Sequence, residues 1–96
     1  MLVLVSYDVS TTSAAGRRRL GKISRACTGY GVRVQYSVFE CEVDPSQWEQ
    51  LKTKLIRIIQ PAEDSLRFYF MGSNWKGNVE HHGRQKSPDM HGLLSL

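Results

Sequence analysis

The chain opens on Met1-Leu-Val-Leu-Val-Ser-Tyr-Asp-Val9, an apolar, β-branched run suited to a buried strand as far as Tyr7. The run delivers a carboxylate, Asp8, at its end, just before the polar loop Ser10-Thr-Thr-Ser13. Arg17, Arg18 and Arg19 follow behind that loop. A rigid strand end that presents a hard-oxygen ligand beside a phosphate-binding cluster points to phosphodiester chemistry with a divalent cation. Asp is also a favoured cap and turn residue, so on position alone Asp8 fits a purely structural role equally well.

A chain of 96 residues holds one domain, expected over 1–96, with one modest core that dimerisation would enlarge. Thirteen Lys and Arg against nine Asp and Glu give a net charge of +4, which favours an anionic partner, although clustering says more than the total. Cys27 and Cys41 form no CxxC pair and lack metal-type spacing, so two free, packed thiols in a reducing compartment are expected. The opening apolar run has no basic segment before it and no cleavage motif, and it is too short to cross a bilayer. On these features a cytoplasmic protein with no membrane partner is expected.

From about Ala14 to Tyr30, the residues Leu20, Ile23, Ala26, Cys27 and Tyr30 recur at helical spacing and make one apolar stripe. Gly29 and Gly31 supply a stop, while the interior Gly16 and Gly21 weaken the helix. Val32 to Val43 reads as one long second strand whose apolar phase shifts from even to odd positions. Two buried faces or a β-bulge near Val38-Phe39 would produce that shift. Asp44-Pro45 starts a second helix, with Trp48, Leu51, Leu55, Ile58 and Ile59 on its apolar face and Pro61 at its end. Ser65 to Met71 alternates as a strand, Asn78 to His82 fits a short one, and Leu93-Leu94-Ser95-Leu96 forms an apolar tail. The order reads as β-α-β-β-α-β plus a tail, an α+β, ferredoxin-like pattern with both helices on one face of an antiparallel sheet. The other face would carry apolar and aromatic residues and so form an interface. The tail, from about residue 84, is expected to pack as an edge strand on the partner subunit.

Tyr7-Asp8-Val9 at the first strand's end, arginines at the first helix, Ser37-Val38-Phe39-Glu40 in the second strand and Leu66-Arg67-Phe68-Tyr69 in the third come in a distinctive order. In that order and spacing the chain resembles the small CRISPR-associated protein of the adaptation module, family member two, over nearly its whole length. The resemblance implies a ferredoxin-like homodimer in which the two Asp8 carboxylates face each other and share one Mg2+. It implies an endonuclease on single-stranded RNA or double-stranded DNA, and a scaffold for the spacer integrase, CRISPR-associated family member one. Asp8 matches the metal carboxylate, Tyr7 its neighbour, and Ser37 and Phe39 the second-strand positions of the site. A single carboxylate per subunit is sparse for a dedicated nuclease.

Arg17, Arg18 and Arg19 could be a solvated face. Their place near a helix N-terminus, where the dipole favours anions, makes a phosphate partner more plausible. Adjacent residues His81 and His82 would point to opposite strand faces and so would not readily share a metal with each other, and His91 stands apart. Trp48 and Trp75 suit packing. A non-catalytic nucleic-acid-binding module of the same fold is the alternative. Residues 65–72 have the aromatics of an RNA-recognition motif but not its glycines. A small-molecule regulatory domain would not need the arginines, and no glycine-rich phosphate loop is present.

Overall fold

The structure, a computed structural model, describes residues 1–72 and 79–84. Its elements run β1 (Leu2–Asp8), α1 (Ala14–Thr28), β2 (Gly31–Gln35), β3 (Val38–Glu42), α2 (Pro45–Ile58), β4 (Ser65–Met71) and β5 (Val79–Gly83). The five strands form one antiparallel sheet in the order β2-β3-β1-β4-β5. The arrangement is ferredoxin-like, with β5 added beside β4.

Local chemistry accounts for both helices. The Ser13 side chain caps α1 by accepting from the Gly16 N–H at 3.1 Å. Asp44 and Gln47 form a reciprocal capping box at the start of α2, at 2.8 and 2.9 Å, with Pro45 in the first turn. Gly16, expected to weaken α1, has a packing role instead. A Cβ there would lie 1.8 Å from the Ser10 carbonyl oxygen, so the helix meets the β1–α1 loop at backbone contact.

The main core lies between the helices and one face of the sheet. Val3, Val5, Tyr7 and Val9 meet Ile23 and Cys27 of α1, Trp48, Leu51 and Leu55 of α2, and Phe39, Cys41, Leu66 and Phe68. Trp48 packs edge-on to Phe68 and Phe70, with ring centroids 4.8 and 5.6 Å away. Cys27 and Cys41 are free and buried, and burial pushes their thiols up to about 12 and about 11. They are inert packing groups, as their sequence context suggested. The opposite face carries a smaller cluster of Leu4, Val38 and Tyr69, with Met71 and Val79 against it.

One expectation is corrected. Residues 32–43 are not one strand but a tight hairpin that reverses at Tyr36-Ser37. The reversal explains the change of apolar phase, because β2 and β3 are separate strands. The only register irregularity between them lies at Arg33/Gln35, not at Val38-Phe39. β2 forms the sheet edge and leaves Val32 and Val34 exposed. The expected short strand at 78–82 is β5. Residue 78, Trp75, His91 and the expected tail strand lie outside the described residues.

Candidate functional site

β1 is the central strand, paired with β3 on one side and β4 on the other. Its side chains alternate between the faces. Val3, Val5 and Tyr7 go to the helices, whereas Leu4, Ser6 and Asp8 belong to the other face. Asp8 is exposed at the strand's last position, opposite Ser65 of β4. The central strand thus holds the candidate carboxylate firmly and presents it to solvent.

Tyr7 and Phe39 come together, but away from Asp8. Their rings stack 6.2 Å apart at 23° in the main core, where Phe39 is 1 % exposed and Tyr7 4 %. Strand alternation turns both rings into the core, away from the face that carries Asp8. Burial raises the Tyr7 phenol above its usual range, opposed by its hydrogen bond with Ser24 and by the nearby Arg33 charge. Arg33 donates to the Ser24 hydroxyl and lies over the Phe39 ring, 5.1 Å from its centroid. Ser37 sits in the hairpin turn, where its carbonyl accepts from the Tyr7 N–H at 3.1 Å. That bond ties the turn to the strand end carrying Asp8.

The arginine cluster divides. Arg17 and Arg18 are exposed, and Arg17 also donates to the Thr11 carbonyl at 3.2 Å. Arg19, expected with them to contact nucleic acid, turns towards Asp64. Its fork grips Asp64 through Nε at 2.7 Å and a terminal nitrogen at 3.1 Å, with Glu63 at 3.7 Å. Consecutive helical residues point about 100° apart, so Arg18 faces solvent while Arg19 turns inward, which three identical letters in a row conceal.

Asp64 is the residue that sequence reasoning missed. It is fully buried just before β4. Besides Arg19, its carboxylate accepts from the Ser10 N–H at 3.1 Å and the Gln60 N–H at 2.9 Å. Burial opposes its charge, but these donors outweigh it and hold the carboxyl below its usual range. Its carbonyl accepts from the Arg84 N–H at 2.7 Å, and a Cβ on Gly83, at φ +89°, would strike that same carbonyl oxygen. Asp64 thus anchors the loop immediately after Asp8 to α1 and β4. The isolated Asp in Pro61-Ala-Glu-Asp64 reads as turn chemistry, and no local signal marks a partner 45 residues away.

Among the described residues, no three His, Cys, Asp or Glu come together as metal ligands. His82 and Glu80 pair at 2.5 Å and Lys52 joins Glu80 at 2.8 Å, tying β5 to α2 rather than forming a metal site. Asp8 presents a hard carboxylate oxygen, the ligand type that magnesium takes one or two of while keeping several waters. No helix among the described residues is long and apolar enough to cross a membrane.

The family model described as CRISPR associated protein Cas2 matches residues 1–79. The chain is 58 % identical over 96 residues, all of both chains, to a CRISPR-associated endoribonuclease Cas2 of Chlorobaculum tepidum. It is 51 % identical to a CRISPR-associated endonuclease Cas2 of Halalkalibacterium halodurans, over 94 % of each chain. The crystal structure of Streptococcus pyogenes Cas2 at pH 6.5 superposes with a TM-score of 0.70 at 50 % identity, covering 83 % of this chain and 96 % of the other.

Proposed function

We propose, from the premise that this chain belongs to the CRISPR associated protein Cas2 family, that it is a magnesium-dependent endonuclease acting as a homodimer in CRISPR adaptation. The observation that carries this reading is Asp8, exposed at the end of the central strand with its following loop anchored by Asp64. The relatives' names, endoribonuclease and endonuclease, support phosphodiester hydrolysis as the chemistry.

In this reading the two Asp8 carboxylates of the dimer would hold one magnesium ion, which would supply charge neutralisation at the phosphate and lower the pKa of an attacking water. Without it the carboxylates repel, so each subunit binds the cation through relief of that repulsion. Tyr7 and Phe39 position the strand end from the core, and Ser37 holds it through its carbonyl. Arg17 and Arg18 contact the phosphate backbone of single-stranded RNA or duplex DNA. The dimer also serves as the scaffold for the spacer integrase. The apolar cluster Leu4, Val38 and Tyr69 on the face away from the helices supports a subunit contact there.

The test is magnesium-dependent cleavage of single-stranded RNA and duplex DNA by the wild type and Asp8→Asn, with sedimentation of both. A dimer is expected in each case. Removing the shared carboxylates should lower the rate roughly a thousandfold, about 4 kcal/mol of transition-state stabilisation. Undiminished cleavage by Asp8→Asn, or a monomer at micromolar concentration, refutes the shared site. A wild-type dimer that binds nucleic acid but cleaves neither substrate favours the non-catalytic binding module and scaffold.

A further inference from the structure

Tyr30, just past the end of α1, meets α2 across the helix layer. Its hydroxyl donates to the Gln50 side-chain carbonyl at 3.4 Å, and Lys54 Nζ lies 5.9 Å from its ring centroid. Near the start of α1, Arg19 pairs instead with Asp64, beyond the end of α2. The two helices therefore run antiparallel. An open groove of about 540 Å³ is lined by Tyr30 and, from α2, by Glu49, Gln50, Thr53, Lys54 and Arg57. The α2 residues are exposed and Tyr30 is half-buried.

Two cations of this groove have no carboxylate partner among the described residues. Lys52 is bound to Glu80 at 2.8 Å and Arg19 to Asp64 at 2.7 Å, whereas Lys54 and Arg57 enter no ion pair. Arg57 stands in the last turn of α2, where a cation offsets the helix dipole, so its sign has a structural reason. Lys54 lies earlier and has only the Tyr30 ring against its charge. Residues three apart are neighbours on a helix surface, so these two like charges repel, and an anion held by both relieves the repulsion. Tyr, Gln, Thr, Lys and Arg are the side chains that hold phosphate oxygens in nucleic-acid complexes. Glu49 is the one lining residue of the wrong sign. An unpaired strand is usually held by bases stacked on bare aromatic rings. Tyr30, the only ring of the groove, is half-buried with Lys54 over it, which favours a duplex, bound through its backbone alone.

We propose that the α2 groove is a second backbone site for duplex DNA, in which Lys54 and Arg57 hold phosphates and the Thr53 hydroxyl and Gln50 amide donate to them. It is separate from Arg17 and Arg18 at the start of α1 and reads no sequence. The inference rests on the reading of this chain as a nucleic-acid-binding protein, and it needs neither Asp8 nor magnesium.

The experiment measures binding of a mixed-sequence duplex DNA and of single-stranded RNA in EDTA over a salt series. Lys54→Gln/Arg57→Gln should bind the duplex roughly tenfold more weakly at low salt and lower the slope of log affinity against log salt by about 2. Lys54→Arg/Arg57→Lys, which keeps both charges, should retain the wild-type slope. Glu49→Gln should strengthen duplex binding, by up to about fivefold. Unchanged affinity and slope in Lys54→Gln/Arg57→Gln overturns the proposal, even where Arg17→Ala/Arg18→Ala binds weakly. A loss from the groove variant with none from Arg17→Ala/Arg18→Ala upholds the groove and removes the α1 contact. A loss confined to single-stranded RNA overturns the duplex assignment. Weaker duplex binding by Glu49→Gln overturns the phosphate site and points to a cationic protein segment in the groove. A wild type that binds no duplex overturns both readings.

Discussion

Asp64→Ala tests the anchor on which the Asp8 loop depends. The substitution removes a fully buried carboxylate that accepts from the Ser10 and Gln60 N–H groups and the Arg19 guanidinium. Removing one partner of a buried ion pair costs about 3–5 kcal/mol, because the groups left behind stay desolvated. A domain of this size has roughly 5–14 kcal/mol of total stability. The variant should therefore lose a large part of it and melt on the order of 20 °C lower. Urea unfolding followed through the buried Trp48, with circular dichroism as a second probe, measures the loss. The pH dependence has a definite sign. The folded-state carboxyl lies below its ordinary value, so its contribution is complete above the unfolded pKa of about 3.9. That contribution is lost as pH falls further, through the lower folded value. The gap between wild type and variant should be full at pH 5–7 and should shrink towards pH 3. A loss under about 1 kcal/mol at pH 6, or a gap that does not change between pH 6 and pH 3, refutes the assignment of Asp64 as a charged anchor.

Three further outcomes follow from the same geometry. Arg17→Ala/Arg18→Ala should weaken DNA binding and lower the slope of log affinity against log salt by about 2, with melting unchanged. Arg19→Ala should instead lower the melting temperature, and a titration series separates the two effects. Gly16→Ala raises intrinsic helix propensity by about 1 kcal/mol, yet it should destabilise the protein, because the new Cβ meets the Ser10 carbonyl. A thermal scan that finds the variant more stable would show that the loop moves aside freely.

Much of this fold is local and therefore legible in the letters. The helices follow from apolar stripes at three- and four-residue spacing and from Ser13 and Asp44, whose side chains cap orphan N–H groups of the residues just after them. β1 follows from a continuous apolar, β-branched run and β4 from a period-two alternation, and Asp8 stands out as a carboxylate delivered by an apolar strand. The tertiary structure decided the rest. The hairpin at Tyr36-Ser37 lacks Gly, Asn, Asp and Pro, so no turn chemistry announces it. Strand alternation, counted from the true register, put Tyr7 and Phe39 in the core and Asp8 outside it. Arg19 left the phosphate cluster for Asp64, a partner 45 residues away that only chain closure brings within 2.7 Å. Periodicity and capping act between near neighbours and are written in sequence. Ion pairs, close glycine contacts and the neighbours of the candidate carboxylate depend on which strands lie side by side, and packing settles that.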